Sequence, residues 1–107
     1  ITREERELVA MLARFHRRSG PSDRHHGFRA LDKELQRRMR LLAGIVRVAD
    51  ALDREHRSKI ETLEATLLAD RLLLRPVSEA SLGLERWALQ RKSDVLEAGL
   101  GVPIVWE

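Results

Sequence analysis

At 107 residues, with 20 Lys+Arg, 17 Asp+Glu and four histidines, the chain has room for one domain, or a small domain plus a subdomain, and carries a formal charge of +3. With 43% hydrophobic and 35% charged residues it can form a core, and no apolar run approaches the ~20 residues a membrane span needs. The absence of cysteine excludes disulfide scaffolds, thiolate zinc sites and cysteine nucleophiles, and fits a cytoplasmic setting. The chain begins at Ile1 without Met, and Thr2 opens a helix signature at once, as expected of a piece cut from a longer protein.

Thr2 and Glu5 have the spacing of a capping box, which predicts a helix from about Arg3 to Arg18. Leu8, Val9, Leu12, Ala13 and Phe15 recur at helical steps along it. The breaker-rich stretch Ser19 to Gly27 reads as an ordered loop. A second helix, from about Asp32 to His56, carries two apolar stripes: Leu35, Met39, Leu42, Val46 and Ala49 on one, Leu41, Ile45, Val48 and Leu52 on the other. So broad an arc predicts a central helix covered on more than one side, with a basic polar strip of Gln36, Arg40, Arg47 and Arg54. Gly44 falls near that strip and permits close approach of another backbone.

After Arg57 the pattern alternates at Leu63, Ala65 and Leu67, as in a half-buried strand. Ala69 to Arg71 is a plausible tight connection to a second strand, Leu72 to Val77, which Pro76 limits to an edge or a strand end. Ser78 or Ser81 then caps a helix through Leu100. Its inner side is read as Leu84, Trp87 or Ala88, Arg91, Val95 and Leu96, and Gly99 or Gly101 ends it. A short strand from Val102 to Trp106 closes the chain. The expectation is an α+β protein: a helical unit over residues 1–57 with two long helices, then a small β-β-α-β subdomain over 58–107 with an antiparallel sheet.

Only Lys33, Lys59 and Lys92 are lysines among the twenty basic residues. Arginine presents a planar fork that grips phosphate at two points, although arginine enrichment also follows from a GC-rich genome. The densest cluster holds Arg14, Arg17, Arg18, Arg24 and Arg29 against one acid, Asp23, with His16, His25 and His26 adding charge as pH falls. Opposed to a polyanion site there is the plainer reading that His16 and Arg17 cap helix carbonyls. Asp50, at the border of the apolar arc, is a weak candidate metal ligand; pairing of Asp50 or Asp53 with an arginine is the plainer alternative. No nucleophile motif, phosphate-cradling glycine loop or zinc signature is present. The four aromatic residues Phe15, Phe28, Trp87 and Trp106 sit where core packing explains them, which disfavours nucleic-acid binding by base stacking.

The run Arg14-Phe-His-Arg-Arg-Ser-Gly-Pro21, then Phe28 and Leu31, then Leu41 to His56, resembles the C-terminal part of the exopolyphosphatase/guanosine pentaphosphate phosphohydrolase (Ppx/GppA) family. Leu84 to Trp87, Lys92 to Glu97 and Gly101 are similar to that family's closing helix. The resemblance implies that the helical half is part of an HD-like domain and that a catalytic region with a divalent metal such as magnesium lies outside these residues. It implies no cofactor within this piece, a basic surface for polyphosphate or guanosine pentaphosphate at His16, Arg17 and Arg18, and a homodimer. Asp50 matches the last aspartate of an HD metal site, but the chain has no His-Asp dipeptide. The readings carried forward are a non-catalytic polyphosphate-binding and dimerising piece of a phosphohydrolase, a metal-dependent HD-type phosphohydrolase, and a purely structural dimerisation domain.

Overall fold

The structure of the protein, a computed structural model, describes residues 1–15 and 26–107. Its elements in order are α1 (Arg3–Phe15), α2 (His26–Arg29), α3 (Lys33–Leu52), β1 (Thr62–Leu67), β2 (Leu72–Val77), α4 (Gly83–Lys92), α5 (Asp94–Leu100) and β3 (Ile104–Trp106). The α+β class follows the sequence expectation, and no helix among the described residues is long and apolar enough to cross a membrane.

Helix α1 starts where the capping box places it. Thr2 N–H donates to Glu5 Oε1 at 3.1 Å, and Glu5 N–H donates to Thr2 Oγ1 at 3.0 Å. Its inner face is Leu8, Met11 and Leu12, packed on buried Phe28, Met39 and Ala43; Val9 and Ala13 point outward instead. Phe28 belongs to the short α2, where a loop was expected up to Gly27.

Helix α3 opens on Asp32, whose Oδ1 accepts from Leu35 N–H at 2.8 Å. It ends four residues before the expected His56. Asp53 N–H donates back to Ala49 O and Asp50 O, while Asp53 Oδ1 accepts from Ser58 N–H at 3.0 Å. A short polar side chain that satisfies a nearby amide offers the backbone an alternative to helix, and His56 and Ser58 follow with φ of 55° and 50°.

Strands β1 and β2 form the expected hairpin, pairing Thr62 with Val77 through to Leu67 with Leu72. Leu68 N–H closes the turn on Arg71 O at 2.8 Å. Strand β3 joins the other side of β2 in parallel, Leu72 opposite Ile104 and Leu74 opposite Trp106, so the sheet is mixed rather than antiparallel. The reason is the connection: the helical crossover carries the chain back to the end of the sheet where β2 began, and a strand that starts there runs parallel to β2. Because β3 reaches only to Leu74, β2 has a single paired neighbour at Pro76, where a missing N–H is harmless.

The crossover is two helices, broken at Ser93. Gly101, in the left-handed region at φ 76°, ends α5 with its N–H on Glu97 O at 2.8 Å. Glu97 Oε2 then accepts from Ile104 N–H at 2.7 Å, tying α5 to β3. The core between the sheet and helices joins Val48 and Leu52 of α3 to Leu74, Leu89 and Leu96, so it spans both sides of position 57.

Two faces depart from expectation. On α3 one residue of the strip read as polar turns inward: Arg47 is buried with Ala43, Gly44 and Ala51, while Leu42, Ile45 and Val46 are exposed. Gly44 decides this, because a Cβ there would lie 2.7 Å from Leu96 Cα; only glycine lets α5 approach so closely. On α4 the buried residues are Glu85, Ala88 and Leu89, so Leu84, Trp87 and Arg91 face outward.

Candidate functional site

Asp50 of α3 and Arg54, just past its end, reach the same recess that α4 lines with Trp87, Arg91 and Lys92; Ala51 and Ala88 form its floor. The two alanines explain the recess. They let the helices meet without filling the space above, leaving a cavity of about 220 Å³. Three cationic side chains and one carboxylate border it, so its local charge is positive. Trp87 is 51% exposed, and the Arg91 guanidinium lies 5.0 Å from the centre of its ring. That stacking holds a flexible cation in place at the cavity mouth. It also corrects the expectation that all four aromatic residues serve core packing: Phe28 is fully buried and Trp106 packs against the core, but Trp87 offers an open face.

Chemically, such a recess can hold an anionic oxygen cluster. Arg54 and Arg91 present forks, Lys92 a point charge, and Asp50 an acceptor for a ligand hydroxyl or N–H. A larger cavity of about 420 Å³ opens beside β3. Its carboxylate, Glu97, is committed to Ile104 N–H and Ser93 Oγ, and Arg86 is its single cation.

Of the sequence-predicted polyanion residues, His16, Arg17, Arg18 and Arg24 lie outside the described residues. Arg29 is exposed at the end of α2, beside the start of α3. It is not among the residues that line the Asp50 recess. The two are therefore distinct basic regions. Asp50 is half-buried in the recess, and no group of three or more metal-ligating side chains occurs among the described residues. The plainer alternative for the aspartates takes another form: among the described ion pairs neither Asp50 nor Asp53 has a cationic partner, and Asp53 serves the backbone.

A second charged cluster escapes the sequence reading. Glu85 is 1% exposed, and Lys59 Nζ reaches its Oε1 at 3.4 Å, Ser81 O at 3.2 Å, and also the Glu55 carboxylate. Hydrogen bonding to Lys59 holds the Glu55 carboxyl below its ordinary value, and the same bond to Glu55 raises Lys59. The cluster joins the segment after α3 to the start of α4, so it fixes the angle at which α4 meets the recess. Its sequence signal is Glu85 lying three and four residues before Ala88 and Leu89, on one helical face. Arg47 is likewise buried, with Asp94 at 3.4 Å across to α5. No family model matches this chain, and no curated protein does.

Proposed function

We propose that this chain is a non-catalytic, phosphate-chain-binding and dimerising part of an exopolyphosphatase-related phosphohydrolase, acting in the cytoplasm. The observation that carries the reading is the convergence of Arg54, Arg91 and Lys92 on one small recess. Polyphosphate and guanosine pentaphosphate both present closely spaced anionic oxygens, and guanidinium forks bind these more strongly than neutral donors do. A cavity of about 220 Å³ takes one or two phosphoryl groups of a chain and leaves the rest outside. A magnesium-dependent catalytic region elsewhere in the parent protein belongs to the same proposal and rests on the resemblance of Leu41 to His56 to the Ppx/GppA family. Holding a chain at such a recess concentrates substrate near a distant active site without chemistry here.

The test is calorimetric titration of polyphosphate into the wild-type chain and the Arg54→Ala/Arg91→Ala double variant. Loss of two charge-assisted contacts weakens binding by about tenfold or more. Unchanged affinity would remove the recess from the proposal. The Arg17→Ala/Arg18→Ala variant, titrated alongside, reports whether the predicted basic cluster shares the ligand.

The exposed face of α3 favours the dimerising part of this reading. An apolar stripe left exposed among the described residues, on a helix that also carries the core, is expected where a second surface docks.

A further inference from the structure

We propose that the free edge of β3 takes up an extended acidic peptide as a further strand, parallel to β3, with apolar side chains in the cavity beside it and an acidic residue on Arg86. This goes beyond the phosphate reading and uses none of the recess residues. Two hydrogen bonds fix the phase of the β3 backbone: Leu72 N–H donates to Pro103 O at 2.8 Å, and Glu107 N–H donates to Leu74 O at 2.9 Å. Backbone groups alternate sides along a strand, so Pro103, Val105 and Glu107 serve β2, while Ile104 and Trp106 turn their N–H and C=O groups the other way. On that side β3 is the last strand of the sheet. Glu97 Oε2 accepts from Ile104 N–H at 2.7 Å, whereas Ile104 O, Trp106 N–H and Trp106 O meet no partner among the described residues. Such a row of open backbone groups is a template for another strand.

An open edge alone accepts any extended chain; the cavity of about 420 Å³ beside it supplies the preference. A strand added at the usual spacing of about 4.8 Å lies along the cavity, and every second side chain points toward the helices. Buried Leu89 and half-buried Trp106 give that space apolar walls. Both oxygens of Glu97 are engaged within the protein, Oε2 by Ile104 N–H and Oε1 by Ser93 Oγ at 3.4 Å. Arg86 is the charge left to a ligand, being exposed and in none of the described ion pairs. A guanidinium so placed selects a carboxylate, and Gln90, one turn further along α4, adds an amide donor. The formal charge of +3 on the chain favours the approach of an acidic peptide over a basic one.

Glu97 also sets the direction. An antiparallel strand long enough to reach Ile104 would bring its own carbonyl opposite Ile104 N–H, against the carboxylate already there. In a parallel strand that starts opposite Val105, the first residue donates to Ile104 O and accepts from Trp106 N–H, and the third donates to Trp106 O. That arrangement needs nothing from Ile104 N–H. Its amino end lies near Glu97, and its carboxyl end runs toward Arg86, which borders the cavity from the other end of the wall made by α4 and α5. Hydrogen bonding and charge therefore favour the same direction.

The experiment titrates the whole isotope-labelled chain with peptide, followed by amide NMR. The probes are a blocked heptapeptide alternating valine with threonine and ending in glutamates, and the same peptide with lysines in their place. The acidic peptide is expected to bind at least about tenfold tighter than the basic one, to slow hydrogen exchange at the Trp106 amide and to leave the Trp87 indole signal unmoved. Arg86→Glu, at an exposed position, is expected to remove or reverse that preference while the rest of the amide spectrum is retained. Methylating alternate amides of the acidic peptide is expected to abolish binding in one phase of the alternation and to spare it in the other, because only one edge of the added strand pairs. Absence of binding at millimolar acidic peptide overturns the proposal, as does equal affinity for the two peptides. Shifts centred on Trp87 and Arg91 overturn it in favour of the recess. A Trp106 amide already protected in the free chain overturns it as well: protection lost on dilution assigns the edge to a second copy, and protection that persists assigns it to another part of this chain.

Discussion

At α3 a single side chain with a single hydrogen bond sets the helix start. Asp32 satisfies an amide that α3 itself leaves without an acceptor, so Asp32→Ala is expected to cost about 1 kcal/mol, read from urea denaturation. Lys59 carries more, because it is the cation facing the buried Glu85. Replacing it with methionine leaves a carboxylate in the interior without compensation. Lys59→Met is therefore expected to lower the melting temperature far more than Arg71→Met, which breaks only the exposed Arg71–Asp70 pair. The pH dependence has a definite sign. Glu55 lies below its ordinary 4.5, so its contribution is full above that value and is lost as pH falls through the depressed one. Lys59 lies above its ordinary 10.5, so its contribution is full below that value and is lost as pH rises through the raised one. Denaturation followed from neutral to alkaline pH should show the Lys59 loss in wild type and not in Lys59→Met.

At the scale of elements, glycine decides how α3 meets α5. Intrinsic propensity favours alanine over glycine inside a helix by about 1 kcal/mol, yet a Cβ at Gly44 would strike Leu96 backbone. Gly44→Ala is expected to destabilise by about 1–3 kcal/mol. Gly83→Ala, where a Cβ would meet nothing within 4 Å, is expected to be neutral or stabilising, so one chemical change gives opposite signs at two helical positions. The same contact explains what the sequence concealed. Thr2 and Glu5 announced α1 because a capping box is local, and Leu63, Ala65 and Leu67 announced a strand because alternation is local. The inward face of α3 follows from closeness rather than hydrophobicity: Ala43, Gly44 and Ala51 are buried because small residues admit a neighbouring helix, which a count of apolar side chains does not register. On α4 a charged residue, Glu85, occupies the core side, and its partner Lys59 stands 26 residues away, so the face was read about one step around the helix.

Across the whole molecule, function depends on surfaces that no single segment contains. The recess draws Arg54 from the turn after α3 and Arg91 with Lys92 from α4, and the crossover that carries α4 from β2 toward β3 brings them together. Legible in advance were a basic surplus dominated by arginine and an aspartate in an odd place. Which arginines converge was not legible, since it depends on how α4 is rotated.

The claim that this is a phosphate-binding surface is tested most directly by titrating the chain with long-chain polyphosphate and with single-stranded DNA of matched charge, each at low and moderate salt. A shaped recess predicts tighter binding of polyphosphate that survives the salt increase, because close guanidinium contacts are screened less than diffuse attraction. Equal affinity for the two polymers, vanishing together as salt rises, would contradict the account and reduce the arginines to solvated surface.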